Sequence, residues 1–285
     1  MARKKVSIKT VRKLFFVIVL LLIALMFLVT FSVMIDKPEP NVDRSLIKND
    51  PAVIAHRGAM DYAPESSLNS FKLAKEKGAD ILETDLHLTK DGKIVLFHDY
   101  DISRFSDSGR LVKDMTLDEL REVRIGRNYT DYSDDRMIVL DELFDEFGKD
   151  TLYLLEVKNE DYASTGIEPV LVKMIKDRDL YENVFVSAFN PLVLMRLKRL
   201  DSNINVGLNL RADLAVYLRE TWFKELANVC FLVPRLDMID ESFMNRYKNY
   251  FIFAWDIHTQ EDYKRAKSLG VDGVVVDAPD RFTSN

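Results

Sequence analysis

The chain has 285 residues, 47% of them apolar, enough to bury one large core, and a barrel-type domain of about 200 to 250 residues commonly forms as one unit. It carries 40 basic and 46 acidic residues for a formal charge of −6, with no basic stripe suited to tracking nucleic acid, which argues against that class of partner. Cys230 is the single cysteine, so no internal disulfide is possible, and it reads as a small buried apolar residue.

Residues 1–13 contain Arg3, Lys4, Lys5, Lys9, Arg12 and Lys13 and no acid. The uncharged apolar run 14–35 follows, and at about 1.5 Å per residue it covers the roughly 30 Å of bilayer hydrocarbon. A cleaved signal peptide is the competing reading. Its apolar region would be about 7 to 15 residues long and would end in a small-x-small site. This run is longer and ends in Ser32-Val33-Met34-Ile35-Asp36. The expectation is a single-pass membrane anchor at 14–35 behind a basic cytoplasmic tail at 1–13, with the remaining chain extracytoplasmic by the positive-inside rule. Without those six cations, 34 basic residues face 46 acidic ones, so the rest of the chain is near −12 and meets lipid by tethering rather than by charge.

Residues 36–50 are polar, contain Pro38 and Pro40 and read as a linker, leaving 51–285 as one domain. Apolar, β-rich runs then alternate with helical spacing. The strand-like runs are 52–55, 81–88, 152–157, 184–188, 206–210, 229–233, 251–257 and 273–276. Helical segments fall at 67–77, 166–178, 191–200, 214–225 and 260–269. Eight strands with helical crossovers predict a parallel TIM (β/α)₈ barrel. An open doubly wound sheet is the alternative, but no Gly-rich phosphate loop follows the first strand.

The run 94–98 follows 82–89 after only Lys90-Asp91-Gly92-Lys93, too short for a parallel crossover, so it must return as an antiparallel hairpin. With the turn centred between Asp91 and Gly92, His98 falls opposite Asp85. The segment 100–140 is polar and carries one short helical pattern at 117–123, capped by Thr116. It reads as a small insertion over the barrel mouth, its charges mostly a solvated surface.

Polar residues interrupt four of the buried-looking runs. Glu83 and Asp85 are two apart on a strand and so share a face, from which Thr84 points away. Glu156 ends another strand and can bring a third carboxylate across the mouth. An all-carboxylate set suits a hard divalent cation, Mg²⁺ or Ca²⁺. The alternative is an ion-pair network with Arg57 and Lys158. His56 and His98 both end strands, and together they suit a general acid and base pair. His87 shares the face of Asp85 and reads mainly as a supporting or core residue, and His258 is a weaker candidate still. Two strand-end cations beside a divalent ion suit a phosphate diester better than a carbonyl. No Gly-x-Ser-x-Gly elbow is present to support covalent catalysis by serine.

The ordered set Ala55-His56-Arg57-Gly58, Ala63-Pro64-Glu65-Ser66-Ser67, Glu83-Thr84-Asp85-Leu86, Thr89-Lys90-Asp91-Gly92, His98-Asp99, Glu156-Val157-Lys158 and Gly270-Val271-Asp272-Gly273 resembles the glycerophosphodiester phosphodiesterases. The likeness runs from about Val53 to the C-terminus. It implies a TIM barrel in which Glu83, Asp85 and Glu156 hold the metal, His56 and His98 are acid and base, and Arg57 and Lys158 bind phosphate. Ser66 stands where the family usually has Asn, Trp255-Asp256-Ile257-His258 replaces Trp-Thr-Val-Asn, and Ile138-Val139-Leu140 replaces Pro-Thr-Leu. These departures are expected to reshape the pocket for the alcohol group.

The resemblance implies metal-dependent hydrolysis of a glycerophosphodiester to glycerol 3-phosphate and an alcohol. The anchor raises two alternatives: a lysophospholipase D acting on lysophospholipid, or a hydrolase of glycerophosphate polymers. A membrane-tethered binding protein without catalysis is a third possibility, disfavoured by the complete set of metal and histidine positions.

Overall fold

The computed structural model describes residues 8–34, 39–159, 163–213 and 227–283, with the side chains of the first stretch described for 9–24. It separates into two units, 1–36 and 37–285. The first contains helix α1, Ile8–Met34. The expected anchor at 14–35 lies partly outside the residues whose side chains are described, and among the described residues no helix is long and apolar enough to cross a membrane.

The second unit is a closed barrel. Strands β1 (Ala52–Ala55), β2 (Ile81–Leu88), β4 (Leu152–Val157), β5 (Val184–Ala188), β6 (Asn205–Leu210), β7 (Phe231–Pro234), β8 (Phe251–Ile257) and β9 (Gly273–Val276) run parallel, and β1 pairs with both β2 and β9 to close the ring. Helices α2 (Leu68–Glu76), α4 (Leu140–Phe147), α5 (Ile167–Asp177), α6 (Pro191–Leu200), α7 (Glu241–Arg246) and α8 (Gln260–Leu269) follow successive strands. The helix expected at 214–225 lies outside the described residues.

Strand alternation divides the core into two layers. Outward residues such as Val53, Leu82, Leu155, Val186 and Val206 pack with the helices. Inward residues such as Ile54, Ile81, Leu154, Phe185, Phe231 and Phe253 fill the barrel. The three phenylalanines interlock, with ring centroids 5.2 Å apart for Phe185 and Phe231 and 5.1 Å for Phe185 and Phe253. Gly207 on β6 makes this possible, since a Cβ there would lie 2.2 Å from the Phe231 ring. The barrel is therefore filled below its C-terminal mouth, and a cavity opens at the mouth.

The segment read as a linker is docked over residues 41–49. Val42, Leu46 and Ile47 pack against the interior cluster. Asn41 and Asn205 exchange hydrogen bonds, and the Asp43 N–H donates to the Glu182 carbonyl at 2.8 Å. Asp80, 2% exposed, accepts from Lys48 N–H at 2.7 Å, Asn49 Nδ2 at 2.9 Å and Val53 N–H at 2.8 Å.

Strand β3 (Ile94–Leu96) forms the expected antiparallel hairpin, but the register differs by one residue. Pairs Leu86 to Leu96, His87 to Val95 and Leu88 to Ile94 centre the turn on Asp91, and the Phe97 N–H donates to the Asp85 carbonyl at 3.0 Å. The cause is a three-residue loop, Lys90-Asp91-Gly92, closed by the Thr89 N–H on the Lys93 carbonyl at 2.9 Å, with Gly92 at φ +77°. Phe97, not His98, faces Asp85. His98 reaches the mouth because the chain leaves the strand after Leu96.

The insertion has its own small core of Val95, Phe97, Ile102, Val112, Met115, Leu120 and neighbours. Its helix α3 (Leu117–Arg121) starts at Thr116 with a capping box to Glu119, as the sequence predicts. Asp80→Ala would strand three donors that tie the docked segment to the barrel. It is expected to cost on the order of 3 kcal/mol, read as a lower urea midpoint with an unchanged slope.

Candidate functional site

The site begins with the backbone after β1. Arg57 has φ +53° and Gly58 φ +83°, a tight left-handed pair that turns the chain across the mouth. Gly58 is obligatory on two counts, since a Cβ would also lie 2.3 Å from Ser70 Oγ. The turn aims the Arg57 N–H at Glu83 Oε2, 2.9 Å away, and its guanidinium at Asp85 Oδ2, with Nε 3.1 Å distant. Ser66 helps hold it, donating its N–H to the Arg57 carbonyl at 2.8 Å while its hydroxyl meets that of Thr84 at 3.3 Å. The Ser66 substitution therefore sits behind the Arg57 turn and not in the alcohol pocket. The Trp255 to His258 substitution does line the cavity.

Glu83 and Asp85 project inward from β2, at 5% and 2% exposure, and Glu156 projects from β4 beside them, where Asp85 and Glu156 are register partners. One carboxylate oxygen from each lies within 4.8 Å of the others. Lys158 Nζ bridges Asp85 Oδ1 at 2.9 Å and Glu156 Oε1 at 2.6 Å. The carboxylate cluster and the ion-pair network thus coexist.

Their charges do not balance. Three buried carboxylates face two cations, and burial together with the Asp85 charge pushes the Glu83 carboxyl up to about 7. Burial also raises Glu156, whereas Lys158 and Arg57 overcome burial at Asp85 and hold it below the usual carboxylate range. Asp85 Oδ2 is buried and, among the described residues, receives no hydrogen bond, its contact with Arg57 being one of charge alone. An oxygen-only donor set with surplus negative charge and an orphaned oxygen fits a hard divalent cation. Glu83, Asp85 and Glu156 are the residues that could hold it.

Both sequence-predicted histidines line the same cavity of about 560 Å³. His56 Nδ1 donates to Asp277 Oδ1 at 2.7 Å, and His98 Nδ1 donates to Asp99 Oδ1 at 2.7 Å. A carboxylate can only accept, so each bond fixes the tautomer and leaves Nε2 for chemistry. Their surroundings differ. Burial opposes charge on His56, but the Asp277 bond and the Glu83 charge outweigh it and raise the imidazole. Burial, with Lys158 and Arg57 nearby, lowers His98 despite Asp85.

The remaining two histidines play lesser parts. His87 is buried, neutral because burial pushes it down to about 4, and sits edge-on to Tyr100 with Nε2 3.4 Å from the His98 carbonyl. It supports the loop that carries His98. His258 is largely exposed at the rim, 2.9 Å from Asp256 and 3.6 Å from Asp277 Oδ2.

Several residues of the site were not anticipated. Asp277 directly follows β9, so a carboxylate at a strand end was its only signal. Asn209 is a polar residue inside the apolar run of β6, and Glu65 lay in a motif without an assigned role. Arg104, from the insertion, binds Asp99 at 2.7 Å and Glu65 at 2.6 Å, a long-range clamp with no sequence signature.

Comparison with known proteins gives a consistent result. Residues 56–281 match the profile of the glycerophosphoryl diester phosphodiesterase family. A glycerophosphodiester phosphodiesterase of Caldanaerobacter subterraneus subsp. tengcongensis is 34% identical over 233 residues, covering 80% of this chain and 94% of that one. The structure of an Oleispira antarctica phosphodiesterase in complex with the product sn-glycerol-3-phosphate superposes with a TM-score of 0.70 at 26% identity, over 81% of this chain and 95% of that one. A glycerophosphodiester phosphodiesterase from Agrobacterium tumefaciens, 18% identical, shares the fold with a TM-score of 0.69 over 81% and 98% of the two chains.

Gly58→Ala is expected to cost at least about 1–3 kcal/mol from backbone strain and to misplace Arg57. A lower thermal midpoint together with a lower rate constant would be the signature, and an unperturbed protein would refute the argument for the turn.

Proposed function

This chain belongs to the glycerophosphoryl diester phosphodiesterase family, and from that premise we propose that it hydrolyses glycerophosphodiesters to glycerol 3-phosphate and an alcohol with the help of a divalent cation. The observation that carries the reading is the convergence of three carboxylates, two largely buried cations and two carboxylate-oriented histidines on one cavity. A cation held by Glu83, Asp85 and Glu156 would supply neutralisation of charge on the phosphoryl oxygens.

Arg57 and Lys158 bind and orient the phosphate. Asp85 and Glu156 fix Lys158, and Asp85 and Glu65 fix Arg57, so neither cation reorganises as charge develops. His98, lowered and thus largely neutral near pH 7, takes the proton of the nucleophile: either water, which gives glycerol 3-phosphate directly, or the glycerol 2-hydroxyl, which gives a cyclic phosphate that water then opens to glycerol 3-phosphate. His56, raised and thus protonated more readily, gives its proton to the leaving alcohol oxygen as the P–O bond breaks.

A second reading concerns the substrate's location. The apolar side chains Leu14 to Ile18 and Leu20 to Ile23 of α1 are exposed, as expected of a segment that needs a non-aqueous partner. We therefore propose that 14–35 anchors the chain in a membrane, with residues 1–13 cytoplasmic and the barrel outside. Lysophospholipids or glycerophosphate polymers then become candidate substrates, by proximity to the tether.

The test is turnover of soluble glycerophosphodiesters and lysophospholipids after EDTA treatment, with and without added Mg²⁺ or Ca²⁺. Cation-dependent release of glycerol 3-phosphate is expected, and release of headgroup alcohol from lysophospholipid alone would favour the membrane substrate. His56→Ala and His98→Ala should each lose about 10²–10⁴-fold in rate with the fold retained, and Glu156→Ala should abolish turnover. Full activity in any of the three would overturn the assignment.

A bell-shaped pH profile follows from the histidine pair. Its acid limb reports His98 losing the proton that blocks it as a base, and its alkaline limb reports His56 losing the proton it must donate. Asp277→Asn removes the carboxylate charge that helps raise His56 while leaving an oxygen to orient the ring, so the alkaline limb should move to lower pH while the acid limb stays. Movement of the acid limb instead would reverse the two roles.

A further inference from the structure

Asn209 alternates on β6 with Leu208 and Leu210, which pack outward under the helices, so its side chain points into the barrel and lines the cavity. It is 3% exposed. Its Nδ2 donates to Glu156 Oε2 at 2.8 Å. Because a carboxylate only accepts, that bond fixes which end of the amide is nitrogen. Oδ1 is then turned away from Glu156, buried and without any donor among the described residues. Its register partner across the ladder is Val233, whose side chain has nothing to donate. A buried amide oxygen left bare costs about 1–3 kcal/mol, so its place beside the reactive cluster points to a donor that arrives with the substrate.

We propose that Asn209 Oδ1 accepts a hydrogen bond from a hydroxyl of the bound glycerol moiety, which makes Asn209 a specificity-determining residue. The proposal deepens the activity proposed above and rests on it. The same amide would report on the substrate at one end and hold Glu156 at the other. The shared chemistry is an O–H donor, and the two possible sources are the substrate hydroxyl and a water molecule.

The experiment uses the full chain at saturating Mg²⁺ or Ca²⁺, so that any loosening of Glu156 is offset. Three matched diesters are compared, carrying glycerol, propane-1,2-diol or propane-1,3-diol, each diol lacking one glycerol hydroxyl. The wild type should prefer glycerol over one diol by about tenfold or more in kcat/KM. Asn209→Ala should lose that preference: whatever the loss of its bond to Glu156 costs on all three diesters, the fall on the glycerol diester should exceed the fall on the discriminated diol diester by about tenfold. Asn209→Ser carries the same comparison should the alanine variant fold poorly. Equal losses on all three diesters would mean that Asn209 only positions Glu156 or binds water, and would overturn the proposal. Turnover by the wild type without discrimination would overturn it alone, whereas no turnover of any diester would overturn the proposed activity with it.

Discussion

The burial of three carboxylates at one point in the barrel mouth is the constraint around which the rest is arranged. Like charges at that distance and depth would ordinarily unfold or protonate the site. Here Lys158 bridges two of them, Arg57 reaches the third by its backbone and Asp85 by its guanidinium, and a residual negative charge remains. Burial first, and the neighbouring charge of Asp85 after it, lift Glu83 to about 7. The site is thus poised for a cation and a phosphate together, each satisfying what the other leaves unbalanced.

Holding such a cluster requires a rigid floor. The interlocked phenylalanines of β5, β7 and β8 provide it, and Gly207 provides the room for them. The docked segment 41–49 closes the opposite end through Val42, Leu46 and Ile47. Chemistry and stability are in this way assigned to opposite ends of the same strands, a division that parallel barrels favour because all their strands point one way and gather their C-terminal ends at one mouth.

The histidines show how the fold differentiates two identical side chains. Each is oriented through Nδ1 by a carboxylate, yet His56 stands near Glu83 while His98 stands among Lys158 and Arg57. Burial lowers both, but at His56 the Asp277 bond and the Glu83 charge outweigh it, whereas at His98 Lys158 and Arg57 add to it, and this separates their proton affinities as a paired acid and base need at one pH. The insertion contributes through Arg104, which ties the His98 partner Asp99 to Glu65 beside Arg57. A surface segment thereby braces both sides of the mouth.

Much of this was legible in the chain itself. Strand period, crossover length and the lack of a phosphate loop specify a parallel barrel, and parity alone puts Glu83 and Asp85 on one face with Thr84 behind, because neighbouring side chains on a strand must alternate. The carboxylates, cations and histidines stand out because charge inside apolar β runs is costly enough to demand a reason. What the sequence could not carry was whatever depends on distant segments meeting. The hairpin register turned on a one-residue difference in loop geometry, the linker is docked through Asp80, Asn205, Glu182 and the barrel floor, and Asp277, Arg104 and Asn209 acquire meaning from partners 221, 39 and 53 positions away. Local periodicity is written in neighbouring residues, whereas hydrogen-bond partners and electric fields are set by closure of the barrel, which brings the ends of all its strands to one place.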